Sequence, residues 1–293
     1  MPYYRKLQKI GGSSYFITLP KDWIQKNSLN KSEIISLTES ATGDLIVALS
    51  KFTKNIKSAN LELDKTDRDL VIRMATSAYI NGCTEMTISS SDKQNLKSVE
   101  KYIQSRFPGF ILTKEGDNFF SLKFVIDLTS VNFMEFFERM DRLTSFMCDE
   151  ITDVDALKDY DIEIDKLYFL LVRILRTAIM DSSLVKVIGL TPVQILDFRL
   201  VLHVLERFGD ELVILSGKPI TQTLQKIKEL KEKAIQAFNG NPRVIPNEIE
   251  KLKVEAYNYV AIVDRDSMPH LWRLIELASD IADLSETLYR FNV

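Results

Sequence analysis

The sequence predicts a multidomain α+β chain in three parts: a strand-rich head, a small α/β segment, and an all-α body built as a pair of three-helix bundles. Short alternating runs separated by Gly, Ser and Asp turns fill residues 1–50. Helical and strand patterns alternate over 51–130. From Val131 onward apolar residues recur at helical spacing in long segments, and the pattern restarts after Gly217, giving three helices in 131–217 and three in 218–293.

In the head, Arg5 to Ile10 and Tyr15 to Leu19 read as two strands, the first with a basic polar side. Gly11-Gly12-Ser13-Ser14 between them tolerates the positive φ of a tight turn. Pro20 suits the first turn of a helix, where its missing N–H is no loss, and the short helix runs from Lys21 to Lys26 and stops near Asn27. Ser32 to Thr38 and Leu45 to Leu49 form a second hairpin around Ala41-Thr42-Gly43-Asp44. Roughly fifty residues of this kind hold too little apolar volume for a private core, and the head has no cysteine to staple it, so the expected remedy is a second copy.

Residues 51–64 read as a connector. Beyond it, Thr66-Asp67 caps a helix with Leu70, Val71, Met74, Ala75 and Ala78 on one face, stopped at Asn81-Gly82. Met86 to Ser89 is a strand, Ser91-Asp92 caps a second helix, and Phe110 to Thr113 and Phe119 to Ile126 are two further strands. In the body, Asn132 caps the first helix, Asp159 to Ile179 forms the second, and Thr191-Pro192 opens a third that ends at Ser216-Gly217. Thr221 to Phe238, Asn247 to Val263, and Met268 to the end complete the six.

The composition, 293 residues with 45% hydrophobic content and only 10 Gly and 8 Pro, suits a soluble globular chain. The most apolar stretch, Leu167 to Met180, is interrupted by Arg173 and Arg176, and no leader pattern opens the chain, so neither a membrane span nor secretion is expected and the location is cytoplasmic. Cys83 and Cys148 lie far apart without CxxC partners and read as reduced core residues. The formal net charge of −3 hides an asymmetry: the first 60 residues hold nine Lys/Arg against four Asp/Glu, out of totals of 38 and 41. A basic head on an acidic body points to nucleic acid at one end.

The run Lys9-Ile10-Gly11-Gly12-Ser13-Ser14-Tyr15-Phe16-Ile17-Thr18-Leu19-Pro20-Lys21, followed by Ser28-Leu29-Asn30-Lys31-Ser32-Glu33 and a second hairpin, resembles the AbrB/SpoVT swapped-hairpin DNA-binding domain over roughly residues 4–50. The resemblance implies a dimeric N-terminal β-barrel formed by exchange of hairpins between two chains, and binding to double-stranded DNA. Carried over by position, Arg5, Lys6, Lys9, Ser13, Ser14 and Lys21 are the candidate DNA contacts. Many members carry an arginine after the loop glycine where this chain has Gly12-Ser13-Ser14, which shifts expectation toward phosphate contacts and leaves Arg5 as the main base reader.

The third and sixth helices align as Leu205-Glu206-Arg207-Phe208-Gly209-Asp210 against Ile275-Glu276-Leu277-Ala278-Ser279-Asp280, each a Glu-x-x-x-Asp pair on one helix face. A chain of this acidity holds about six such i,i+4 acid pairs by chance, so recurrence at matching places, beside the small residues Gly209 and Ser279, is what gives the pairs weight. Asp161 and Asp165 on the second helix add another pair, and Asp149 with Asp153 one more. The pattern resembles PhoU over residues 131–293. That family has two tandem three-helix bundles whose carboxylates bind metal clusters, and it takes part in phosphate-dependent regulation. The resemblance implies metal ligation by Asp161, Asp165, Glu206, Asp210, Glu276 and Asp280, with divalent or iron cations favoured by an all-oxygen donor set. The fifth helix carries Glu248, Glu250 and Glu255 but no matching pair, which weakens the second site. The competing reading is a solvated face with i,i+3 or i,i+4 salt bridges, such as Glu206 with Arg199, Arg207 or other nearby bases.

Enzymatic readings find little support. A di-metal carboxylate oxidase wants Glu-x-x-His, whereas Gly209 and Ser279 stand three after Glu206 and Glu276, and the two histidines, His203 and His270, are not so placed. No nucleophile constellation or phosphate loop occurs. The expected function is a non-enzymatic, dimeric, DNA-binding transcriptional regulator of phosphate uptake or homeostasis with no organic cofactor. The alternative is an interaction module that dimerises through its head and binds a phosphate transporter or signalling protein without touching DNA.

Overall fold

The computed structural model describes residues 3–12, 14–39, 43–49, 57–63, 67–240 and 246–285. The chain is mixed α and β and divides into two compact units, residues 1–55 and 56–293.

The first unit contains two separate antiparallel hairpins: β1 (Gln8–Ile10) with β2 (Ser14–Phe16), and β3 (Ile35–Glu39) with β4 (Leu45–Leu49), with helix α1 (Lys21–Lys26) between them. The strands expected over 5–10 and 15–19 shrink to three residues each, because the partner strand runs out beyond the Gln8–Phe16 pair. The strand expected from Ser32 starts at Ile35, since Ser28 and Ser32 both have positive φ and keep the chain in turns until then. Helix α1 and its stop at Asn27 follow the sequence reading. No side chain described in this unit is buried.

The second unit opens on a four-stranded sheet of order β5-β6-β8-β7, made of β5 (Ser58–Glu62), β6 (Glu85–Ser89), β7 (Phe110–Glu115) and β8 (Phe119–Phe124). The connector expected over 51–64 is corrected here: Ser58 to Glu62 forms an edge strand parallel to β6. Its alternation is short, with only Ala59 and Leu61 apolar, yet that suffices once β6 offers a ladder and Leu61 a buried seat. Residues 51–56 of that connector, together with the cap position Thr66, lie outside the described residues. Helices α2 (Arg68–Ile80) and α3 (Lys93–Arg106) are capped by Asp67 and Asp92, whose carboxylates accept from first-turn N–H groups. Between sheet and helices lies a core of Val71, Ala75, Tyr79, Met86, Ile88, Val99, Ile103 and Phe120, with Tyr79 and Phe107 stacked 4.8 Å apart. Gly109 has φ +84°, and a Cβ there would lie 2.6 Å from Ile126, so no other residue fits that turn without displacing it.

The remaining helices are α4 (Phe133–Asp149), α5 (Val154–Met180), α6 (Ser182–Ile188), α7 (Pro192–Ile214), α8 (Thr221–Phe238), α9 (Pro246–Val260) and α10 (Met268–Ser285). Local signals mark their starts: Asn132 caps α4, Asp153 caps α5, and Thr191 forms a full capping box with Gln194 ahead of Pro192. Helix α5 begins five residues earlier than the apolar spacing suggests, because the Asp153 cap outweighs the polar first turns. The short α6 falls in a stretch read as a link. Helices α4, α5 and α7 pack on one another, as do α8, α9 and α10, while α7 against α10 and α4 against α8 join the triplets. One contiguous cluster of buried side chains, from Phe133 through Phe208 and Leu224 to Ile281, runs through both. Lys231 of α8 is fully buried within the join. Its ammonium donates to the Asp141 carboxylate at 2.6 Å, the Asp141 carbonyl at 3.0 Å, Thr144 Oγ1 at 2.9 Å and Ser145 Oγ at 2.8 Å. No described helix is long and apolar enough to cross a membrane.

Candidate functional site

In the head, the β1–β2 hairpin turns through Gly11 at φ +63° and pairs Lys9 with Tyr15, whose ring lies 5.8 Å from the lysine Nζ. Arg5 precedes the strand, with its guanidinium 5.9 Å from the Tyr3 ring and Nη1 donating to the Tyr4 carbonyl. Lys21 occupies the first turn of α1. Arg5, Lys6, Lys9, Ser14 and Lys21 are all exposed, and Ser13 lies outside the described residues. Among the described residues none of these four cations is paired with a carboxylate. Their charge therefore faces solvent, where an anionic surface can neutralise it.

The carboxylates of the body divide differently from the sequence expectation. Helices α5 and α7 pack together, and Gly209 lies at their contact: a Cβ there would stand 3.3 Å from Ile164 Cδ1, so a larger residue needs Ile164 to give by a few tenths of an ångström. Asp161, Glu206 and Asp210 all have raised proton affinity, with the charge of Asp210 contributing at Asp161 and those of Asp210 and Asp161 at Glu206. Burial is the leading cause in each case. For Glu206 the charges of Asp210 and Asp161 add to it and push the carboxyl up to about 7, while Arg207 and Arg199 oppose. Asp210 is raised by burial and Glu211 against the pull of Arg207 and Arg106.

Asp165 departs from the expected set. It is buried and ion-paired with Arg106, which comes from the end of α3 in the α/β segment. A guanidinium already supplies the cation that carboxylate needs. Of the bases near Glu206, Arg199 donates instead to the Tyr168 hydroxyl at 3.1 Å, and the base that lies against the carboxylate is His203, three residues before it, with Nδ1 at 3.5 Å. Burial and then Arg199 and Arg207 hold His203 below its usual imidazole value, so at neutral pH it offers little positive charge.

Asp149 and Asp153 do not make a ligand pair. Asp149 accepts from Gln225 and Lys228, each at 2.7 Å, and Asp153 is committed to capping α5. On α10, Glu276 and Asp280 are exposed. Asp280 is raised by burial and Asp283, with Arg273, Glu276 and Lys253 as its other electrostatic neighbours, all from α9 and α10. On the fifth body helix, Glu248 pairs with Lys233 at 3.1 Å and Glu255 with Lys226 at 3.8 Å. Among the described residues no group of three or more His, Cys, Asp or Glu side chains is placed to hold a metal ion.

Comparisons with protein-family models, with curated proteins and with solved structures found no match for this chain.

Three residues that matter to these sites escaped the sequence reading. Arg106 sits 59 positions before its partner Asp165, and nothing local marks the pair. Lys231 lies in a run of lysines and glutamates that reads as solvated. Arg173 did leave a trace, as one of the two arginines that interrupt the apolar run of α5, and it proves 2% exposed.

Proposed function

We propose that this chain is a transcriptional regulator that binds double-stranded DNA as a dimer through its head, with the helical body sensing phosphate status. The observation that carries the proposal is the state of the head: no described side chain is buried, apolar Leu37 and Leu45 face solvent on one side of the second hairpin, and Arg5, Lys6, Lys9 and Lys21 are exposed without carboxylate partners. A unit of that kind gains a core by pairing with a second copy, and pairing doubles a basic surface suited to phosphates. The resemblance of the α5 and α7 carboxylates to PhoU supplies the link to phosphate, with Asp161, Glu206 and Asp210 as the face that receives the signal.

The test is binding of the full chain to fluorescent duplex DNA across a salt series, with and without inorganic phosphate. The proposal expects affinity to fall steeply with salt, Arg5→Ala and Lys9→Ala each to weaken binding and lower the slope by about one, and phosphate to shift the affinity. Undetectable binding at low salt removes the DNA claim and leaves an interaction module. Elemental analysis of wild type and Asp210→Ala decides the metal part: metal-free wild type that takes up no added divalent or iron ion leaves protons and the neighbouring arginines, Arg106, Arg199 and Arg207, as the cations of the face.

A further inference from the structure

Arg173 stands where α5 meets the end of α2 and the end of β8. Its Nη1 donates to the Tyr79 carbonyl at 2.6 Å, and its guanidinium lies 3.6 Å from the Phe124 ring centre and 5.0 Å from that of Tyr79. Among the described residues no carboxylate faces it: the groups that feel its charge are the Tyr79 phenol and the Cys83 thiol, both raised by burial and both neutral near pH 7. Its Nε has no partner. Thr177 Oγ1, one turn along α5, and Thr84 Oγ1, just ahead of β6, are also buried and unpartnered, so half of the six such atoms among the described residues gather at this junction. Burial pulls the guanidinium down to about 10, a sign that the charged form is held against its preference.

The two sides of the junction have separate cores, one around Tyr79 and Phe120 and the other around Phe137 and Leu205. The remaining ties across it are mixed: Ile80 and Ile126 of the segment pack against the core of the helices, Phe169 of α5 packs against the core of the segment, and polar pairs add to them. Arg106 pairs with Asp165, and Arg176 donates to Asn81 Oδ1 at 3.0 Å through Nε. Separation leaves the buried residues of each core together, uncovers the apolar seam of Ile80, Ile126, Phe107 and Phe169, and offsets part of that cost by returning a cation without a carboxylate to water.

We propose that the α/β segment, residues 57–126, is clasped to α5 reversibly, and that the unpaired buried charge of Arg173 is what keeps the clasp from locking. The clasp opens as a body, with α2, α3 and the sheet swinging off α5 together. This goes beyond the DNA and phosphate reading and does not depend on it.

The test is hydrogen exchange measured by mass spectrometry on the full chain at pH 7, comparing wild type with Arg173→Met and Thr177→Val. Methionine keeps an unbranched apolar stem out to the position of Nε and removes the guanidinium charge, and the Tyr79 carbonyl keeps the Gly82 N–H, so no acceptor is stranded. The proposal expects peptides covering 78–90 and 102–112 to exchange about five-fold or more slowly in Arg173→Met, and by a smaller factor in the same direction in Thr177→Val. Exchange at the wild-type rate or faster in a folded Arg173→Met, judged by unchanged circular dichroism, makes the arginine a net tie and overturns the proposal. If Arg173→Met does not fold, Thr177→Val decides: unchanged or faster exchange overturns it, and slower exchange upholds it.

Discussion

Replacing Lys231 by methionine is the sharpest test of how the two helix triplets are joined. The ammonium is fully buried and makes four contacts to α4, one of them a 2.6 Å ion pair with an Asp141 carboxylate that is 20% exposed. Removing one member of a buried pair costs about 3–5 kcal/mol when the other is stranded dry. Here the stranding is partial. Asp141 reaches water, Thr144 keeps its bond to the Asp141 carbonyl at 2.7 Å, and Ser145 keeps Glu232 at 3.1 Å. The methionine also adds apolar volume in the same space. The expected loss is therefore about 2–3 kcal/mol, read from urea unfolding followed by circular dichroism at helical wavelengths. Lys228→Met is the control. Its pair with Asp149 is 2.7 Å long but 39% exposed on the acid side, and its loss should cost under about 1 kcal/mol. Adding Asp141→Asn to Lys231→Met should recover part of the loss, because the stranded charge goes with it. A Lys231→Met protein within about 0.5 kcal/mol of wild type would refute the reasoning, since it would mean the buried pair contributes no more than an exposed one.

Three other outcomes follow from the geometry. Glu206 has a folded-state pKa near 7, above the usual carboxylate value, so its ionisation opposes folding: the penalty is absent below about pH 4, grows as pH rises to 7 and is complete above that. Glu206→Gln should be neutral at pH 4 and stabilise by about 1–2 kcal/mol at pH 8 after allowance for its partial exposure, measured by unfolding at both pH values. Leu37 is 59% exposed on the second hairpin, and Leu37→Lys should leave the body folded while shifting sedimentation of the full chain from dimer to monomer, whereas an unchanged monomeric wild type would remove the pairing claim. Gly109→Ala places a Cβ 2.6 Å from Ile126 at φ +84° and should destabilise the α/β segment by about 1–3 kcal/mol, seen as early loss of exchange protection over 107–126.

Much of the fold could be read one element at a time. Asp92, Asn132 and Thr191 begin their helices where the cap chemistry says they should, because a cap acts within a single turn and needs no distant partner. The β3–β4 hairpin and the α8 boundaries follow in the same way from turn residues and period. The edge strand β5 was missed because its five residues carry only two apolar side chains, and only the β6 ladder makes them a strand. Of the candidate site, the exposure of the basic head was legible from its charge and small size. The carboxylates were identifiable by position, but their partners were not.

What the sequence by itself determined is the local chemistry: which segments are helices, where they start, that the head is basic and cannot enclose a core, and which helix faces carry acids. What only the tertiary structure decided is where each charge spends itself. Arg106 reaches from α3 to Asp165, Lys231 from α8 to Asp141, and Arg173 points from α5 into aromatic rings with no acid among the described residues to meet it. The reason is physical. A cap or a turn is settled by neighbours within four residues, while the environment of a charge depends on whatever side chains the packing brings within a few ångströms, and no spacing along the chain encodes that.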